Sequence, residues 1–355
     1  MAVTLRDVAR HAGVSARTVS NVVNGFAHVS PAMRAKVQAA LSELNYKPNL
    51  LARSLRQGRT GIITLLVPDI AVSYFGELAH EIVERASEQG CTVMIDETGG
   101  KPDRERVLLE AAARSSWVDG ILLSSQDLRG RDLTGLLSGV PVVLLGERTA
   151  DSALDHVGID NVQAAREAVR HLVDSGRRRI AAVGGSASTW DATSRLRLKG
   201  YRQELRAVGL PADGLYARTP DYKRASAAAA VRSLLSKPDP PDGLFCFSDE
   251  LAVGVLRELY EQGLHVPSDI SVVGFDDIQE ARFATPSLTS VRPDKAKIAE
   301  VAVDMLIKRM QGSEAKPRDV RIGYELIMRE SSTPSPPRTS FGARLPAVGP
   351  RPSPG

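Results

Sequence analysis

The chain has 355 residues, of which 43% are hydrophobic and 25% charged, with a net charge of +4 and two cysteines. This is the composition of a soluble globular protein of two or three domains. It contains no apolar run long enough to span a membrane, and the opening MAVTLRDVAR lacks the basic-then-apolar pattern of a secretory signal, so the expected location is cytoplasmic.

The charge is unevenly spread. Residues 1–60 carry nine Arg or Lys against only Asp7 and Glu43, a net +7; residues 61–330 are net −6, and residues 331–355 net +3. A compact basic segment joined to an acidic body suggests a polyanion-binding head. Chance clustering of surface charge is the plain alternative. Cys91 and Cys246 sit in apolar runs and read as core residues, not as a disulfide or a metal clip.

Thr4 caps a first predicted helix with Asp7 at its third position, and Leu5, Val8, Ala9 and Ala12 share one face. Gly13 ends that helix. Ser15 caps a second helix, Ala16 to about Asn24, whose apolar face is Val19, Val22 and Val23; Gly25 stops it. Ser30-Pro31 opens a third, running to about Asn45 with Met33, Val37, Ala40, Leu41 and Leu44 on its buried side.

Two short helices joined by a tight glycine turn form a helix-turn-helix. The second helix leaves Ala16, Arg17, Thr18, Ser20 and Asn21 outside the core. Arg17 and Asn21, four apart, share a face. Arg pairs with guanine and Asn with adenine in the major groove, where Ala16 is expected beside them. Thr4, Ser15, Thr18 and Ser20 suit phosphate contacts. A plain three-helix bundle with a solvated polar face is the alternative.

TLRDVARHAGVSARTVSNVVNG, followed by HVSPAMRAKVQAALSELNYKPNLLARSLRQGRTGIITLLVP, resembles the LacI/GalR (lactose-repressor) family residue by residue to about position 68, and more loosely to about 330. The resemblance implies that Asn49–Gln57 is a hinge helix, ordered when two chains meet on operator DNA. Ala52 and Leu55, with Arg56, would then serve the minor groove, the leucine wedging a central step. Such a short helix is unstable alone, and apolar wedges are a known minor-groove device. A simple linker helix packed on the body remains open.

In the body, short apolar runs alternate with amphipathic stretches. Expected strands are Ile62–Val67, Thr92–Ile95, Gly120–Leu123, Val142–Leu145, Ile180–Val183, Leu244–Phe247 and Ser271–Gly274. Between them lie helices such as Gly76–Gln89, Val162–Ser175, Arg197–Val208, Ala225–Leu235 and Glu250–Gln262. The alternation predicts parallel sheets covered on both faces. The expected fold is thus an all-α helix-turn-helix head on an α/β body of two parallel-sheet lobes. The resemblance makes that body periplasmic-binding-protein-like. The expected divisions are a head at 1–48, a hinge and linker at 49–60 and a body at 61–330. Lobe 1 would take about 61–160 and 291–320, and lobe 2 about 161–290 and 321–330. The tail, 331–355, has seven prolines and one aromatic residue and is expected to be disordered.

Ligands of open α/β sheets bind beyond the carboxyl ends of strands. The loops there hold Tyr74, Phe75, Ser124, Gly146, Glu147, Arg148, Trp190, Asp191, Thr193, Asp249, Asp276 and Asp277, a polar set with aromatic plates suited to a sugar or nucleoside. The resemblance selects Arg197, within SRLRLKGY, and Asp276, within VGFDDIQEARFATPSLTSVRPD, as effector contacts. Tyr74, Phe75, Ser124, Trp190, Asp191, Thr193, Tyr222 and Asp249 complete the expected set, with a sugar as first choice of effector. Asp276 capping the next turn, Arg197 in a surface ion pair and Trp190 as a loop anchor stay open. No phosphate loop, nucleophile elbow, metal-ligand spacing or catalytic constellation is found, and no cofactor is expected. A single helix-turn-helix reads a half-site, which implies a homodimer on a pseudo-palindromic operator. A solute-binding protein and a sugar- or nucleoside-processing enzyme are the competing classes.

Overall fold

The computed structural model describes residues 3–23, 26, 28–46, 59–125, 139–146, 154–185, 192–212 and 215–333. The chain divides into two compact units, residues 1–62 with 115–119, and residues 63–114 with 120–355.

The first unit contains α1 (Leu5–His11), α2 (Ala16–Val23) and α3 (Pro31–Glu43). Thr4 and Asp7 form a reciprocal capping box at the start of α1. This satisfies backbone donors that the first turn leaves without partners. Gly13 has φ +57°, the left-handed turn that a β-carbon opposes. The Ser15 hydroxyl accepts from the Thr18 amide at 3.0 Å and so caps α2. Ser30 caps α3, with Pro31 at its first position. Val8, Ala9, Ala12, Val19, Val22, Val37 and Ala40 make the core. Met33 departs from expectation: it is exposed. It lies in the first turn of α3.

The second unit holds two six-stranded sheets. The first runs β11-β5-β4-β3-β1-β2 and comprises β1 (Ile62–Val67), β2 (Thr92–Glu97), β3 (Gly120–Leu123), β4 (Val142–Leu145), β5 (Asp155–Gly158) and β11 (Asp319–Arg321). The second runs β12-β10-β9-β8-β6-β7 and comprises β6 (Ile180–Val183), β7 (Tyr216–Ala217), β8 (Gly243–Cys246), β9 (Ser271–Phe275), β10 (Thr289–Pro293) and β12 (Tyr324–Ile327). In register, Ile63 faces Gly120 and Leu244 faces Val272, both in parallel pairs. β12 is the exception, pairing antiparallel with β10.

Helices flank the sheets: α4 (Ser73–Glu88), α5 (Pro102–Arg114), α6 (Asn161–Asp174), α7 (Ala192–Ala207), α8 (Arg224–Leu235), α9 (Asp249–Glu261), the short α10 (Gln279–Phe283) and α11 (Lys295–Met310). Every residue of β3, β4, β6 and β8 is buried, as expected of parallel strands covered on both faces. The chain passes between the sheets three times, from β5 to α6, from β10 to α11 and from β11 to β12. α11 returns to the first sheet, where Asp304 pairs with Arg85 of α4 at 2.7 Å.

Five strands, β5, β7, β10, β11 and β12, and helices α5, α10 and α11 were not among the expected elements. β5 reads Asp-His-Val-Gly yet is buried throughout. Its polar groups are tolerated there because Arg309 holds Asp155 at 2.6 Å and Asp319 holds His156 at 2.7 Å.

Candidate nucleic-acid interface and ligand cleft

On α2 the core takes Val19 and Val22, which turns the other side outward. Ala16 and Arg17 are exposed; Thr18, Ser20 and Asn21 are half-buried. Thr4 and Ser15 are exposed at the two helix starts, their hydroxyls engaged in capping. The basic head therefore presents one polar helix face with an Arg and an Asn on it. The hinge residues Ala52, Leu55 and Arg56 lie outside the described residues, as does the tail from 334.

In the second unit Arg197 is the centre of a buried constellation. It sits one turn into α7, and its Nε donates to Asn161 Oδ1 at 2.7 Å while Nη1 donates to the Phe247 carbonyl. Its guanidinium lies 3.5 Å over the Phe275 ring, a favourable cation–π placement. The surface ion-pair alternative is therefore excluded: the side chain is buried. The remaining Nη2 stands 3.6 Å from Asp276 Oδ1. That is too long for a hydrogen bond, so both groups keep capacity toward a third partner.

Asp276 follows β9 with φ +111°, and Asp277 follows with φ +45°. Two successive non-glycine residues in the left-handed region are costly and persist only where surroundings enforce them. Four side chains do so here. Asp249 accepts from the Ile278 amide at 3.0 Å and from Ser290 Oγ at 2.7 Å. Ser290 Oγ also accepts from the Asp277 amide at 3.1 Å. Lys295 donates to the Asp276 carbonyl, and Arg329 pairs with Asp277 at 2.6 Å. Burial raises Asp276 to about 6, against the lowering pull of Arg197 and Lys295. Burial, with the nearby Asp276 charge, raises Asp249 well above the usual carboxylate range.

Asp249 is thus fully buried and works as a support of the 276–278 loop. Ser194 and Tyr222 share a short hydroxyl contact. Thr193 is half-buried in the same first turn of α7. Tyr74 and Phe75 stand edge to face, ring centroids 5.3 Å apart, with Lys295 Nζ 5.7 Å from the Tyr74 ring. Ser124, just past β3, is buried, its amide bonded to the Leu66 carbonyl. Trp190, Asp191, Glu147 and Arg148 lie outside the described residues.

The lobes touch at the start of α4. Ser73 Oγ donates to Glu280 at 2.9 Å and Glu250 at 3.2 Å. Glu77 accepts from the Gln279 amide at 2.7 Å and pairs with Lys295 at 3.0 Å. A cavity of about 540 Å³ opens beside this contact, lined by Glu77, Arg282, Arg292, Lys295 and Tyr324 among others. It includes neither Arg197 nor Asp276, and its charges largely neutralise one another.

Comparison with known proteins decides the family. Residues 4–49 match the family described as bacterial regulatory proteins, lacI family, and residues 169–332 match a periplasmic binding protein-like domain. The ribose operon repressor of Escherichia coli (strain K12) is 37% identical over 93% of this chain and 99% of its own. The chain belongs to the LacI family of transcriptional regulators.

Solved structures of the family agree with the fold. A lac repressor dimer bound to operator and the anti-inducer ONPF is 28% identical, with a TM-score of 0.82 over 94% of this chain and 99% of that one. A CelR regulator–cellobiose complex is 32% identical, with a TM-score of 0.70 over 93% and 99%. The LacI-family resemblance read from the N-terminal motifs is therefore borne out, as is the pairing of a helix-turn-helix head with two parallel-sheet lobes. Asn161, Glu77 and Lys295 were missed in the sequence reading. Asn161 and Lys295 each open a helix straight after a passage between the sheets, a position legible only once β5 and β10 are recognised as strands.

Proposed function

We propose that this LacI-family regulator is a repressor that binds pseudo-palindromic operator DNA as a cytoplasmic homodimer. A small ligand, a sugar, held between the two lobes sets its operator affinity. Residues 1–48 read DNA, 49–60 form a hinge helix and linker, and 61–330 bind ligand and dimerise. Arg17 and Asn21, with Ala16, contact bases; Thr4, Ser15, Thr18 and Ser20 contact phosphates; Ala52, Leu55 and Arg56 contact the minor groove. The protein needs no cofactor or metal and turns over no substrate.

One observation carries the ligand reading. A buried, braced arginine faces a buried aspartate at 3.6 Å with unspent hydrogen-bonding capacity on both. A ligand hydroxyl accepts from the guanidinium and donates to the carboxylate at once, and vicinal hydroxyls of a sugar do so in pairs. Tyr74, Phe75, Tyr222 and Trp190 supply apolar faces for the ring. Thr193, Ser124 and Asp191 supply further polar contacts, and Asp249 holds the loop carrying Asp276. Relatives support the reading: one is named for the ribose operon, and one solved structure is a cellobiose complex. On the first sheet, the edge strand β2 exposes Met94 and Ile95, which suits burial against a second copy.

The test has two arms. Selection from a randomised duplex library should return a two-fold symmetric site. A thermal-shift screen of pentoses, hexoses, disaccharides and nucleosides should find a ligand that raises the melting temperature and changes affinity for that site. A ligand that binds without altering DNA affinity would remove the proposed coupling. Turnover of the bound ligand would favour the enzyme alternative.

A further inference from the structure

Where the connection from the head reaches β1, five residues form a closed hydrogen-bond network. Thr60 donates its amide to both carboxylate oxygens of Asp119, at 3.0 and 2.8 Å. The Gly61 amide donates to Asp119 Oδ2 at 2.7 Å. Thr60 Oγ1 donates to the Trp117 carbonyl at 2.9 Å and accepts from the Ile62 amide at 3.0 Å. The Asp119 amide completes the ring by donating to the Ile62 carbonyl at 2.8 Å. Gly61 has φ +73°. This left-handed turn lets two successive amides converge on one anion, the arrangement of a backbone nest. A carboxylate in such a nest forms charge-assisted bonds, about twice as strong as neutral ones.

The position of this clamp gives it a use. Asp119 directly precedes β3, and Ile62 begins β1; the two strands are paired from Ile63 and Gly120 onward. Ser124 and Asp69 follow the opposite ends of the same strands. Every covalent path from the head to the body runs through Thr60. We propose that Asp119 is a positioning residue. It fixes the point and direction in which the connection leaves the body, so that two heads of a dimer meet their half-sites pre-aligned. This rests on the reading of the protein as an operator-binding dimer. The distinction between length and direction is quantitative. Releasing Arg59–Ile62 lengthens the connection from the twelve residues 47–58 to sixteen. By itself that dilutes a tethered head less than about twofold, given a roughly −3/2 power dependence on length. A larger loss therefore reports lost direction.

The experiment uses full-length protein and the duplex that the wild type selects from a randomised library, with a scrambled duplex as control. Asp119→Asn keeps the size but loses the charge and one acceptor. We expect at least a tenfold loss of affinity for the selected duplex and unchanged affinity for the scrambled one. Faster hydrogen exchange at the Thr60 and Gly61 amides and an unchanged melting temperature of the body should accompany it. A loss of twofold or less, with exchange faster, overturns the proposal, since the clamp is then open without consequence. An unchanged exchange rate overturns it as well, because the carboxylate is then not what holds the amides. If Asp119→Asn fails to fold, Thr60→Val decides by the same readouts, because it removes both hydrogen bonds of the Thr60 hydroxyl and leaves the carboxylate in place. A wild-type protein that selects no duplex overturns the DNA-binding reading itself, an outcome distinct from a variant that binds as well as wild type.

Discussion

At the scale of single residues, Arg197 shows how a charge becomes specific. Its Nε and Nη1 are committed to Asn161 and Phe247, and its face rests on Phe275. Nη2 and the second N–H of Nη1 remain uncommitted, with Nη2 3.6 Å from Asp276. Lys cannot reproduce this fork, so Arg197→Lys should abolish the ligand-induced thermal shift while leaving DNA affinity intact. Asp276 adds a pH dependence. Its carboxyl is raised to about 6 by burial. Above that pH it accepts hydroxyl donors; below it, protonation removes one acceptor. Ligand affinity should therefore fall as pH drops from 7.5 to 5, measured by calorimetry. The sign for stability is opposite. The native state keeps a proton that the unfolded state releases near 3.8, so unliganded stability declines as pH rises from about 4 to about 6. Asp276→Asn should flatten that decline in a melting-temperature profile. On the head, Arg17→Ala should weaken the selected site by about 1–3 kcal/mol and relax one base position, read by competition among single-base variants.

At the scale of elements, local signals and distant partners divide the labour. α1 and α3 start where they do because Thr4 and Ser30 satisfy amides of the first turn. Such caps are legible in a dozen residues. Ser30→Ala should cost the head about 1 kcal/mol, seen as faster amide exchange in α3. β5 is the contrary case. Asp155 and His156 forbid a strand assignment from composition, yet the strand lies between β4 and β11 because Arg309 and Asp319 come from more than 150 residues downstream. Arg309→Ala would leave the Asp155 carboxylate buried without its counter-ion. A loss of about 3–5 kcal/mol is expected, with early unfolding of the β5–β11 edge in hydrogen exchange.

At the scale of the whole molecule, ligand response requires that the two lobes have more than one arrangement, biased by small energies. Among the described residues, the contacts between them at α4 are polar: Ser73 with Glu250 and Glu280, and Glu77 with the Gln279 amide. A hydrogen bond of this kind is worth about 1 kcal/mol. Removing it with Glu77→Ala should shift an open–closed equilibrium about fivefold toward open. Solution scattering of the unliganded protein should then show a larger radius of gyration, and ligand association should be faster. An unchanged scattering profile would mean that these contacts do not hold the lobes together.

The sequence by itself determined the head, because helix caps, the Gly13 turn and a 3.6-residue apolar period act within a few residues. It also determined seven strands of the body, because parallel strands buried on both faces must be apolar runs. It placed Asp276 in a strand-end loop and named Arg197 only through resemblance, and their meeting at 3.6 Å was decided by the tertiary structure. The same holds for β5, for Asn161 and Lys295 beside the cleft, and for the Asp119 clamp. Each depends on a polar group whose burial is affordable only when a partner far along the chain arrives to pair with it. Local pattern carries the information for apolar burial and capping; pairing between distant polar groups exists only once the fold has closed.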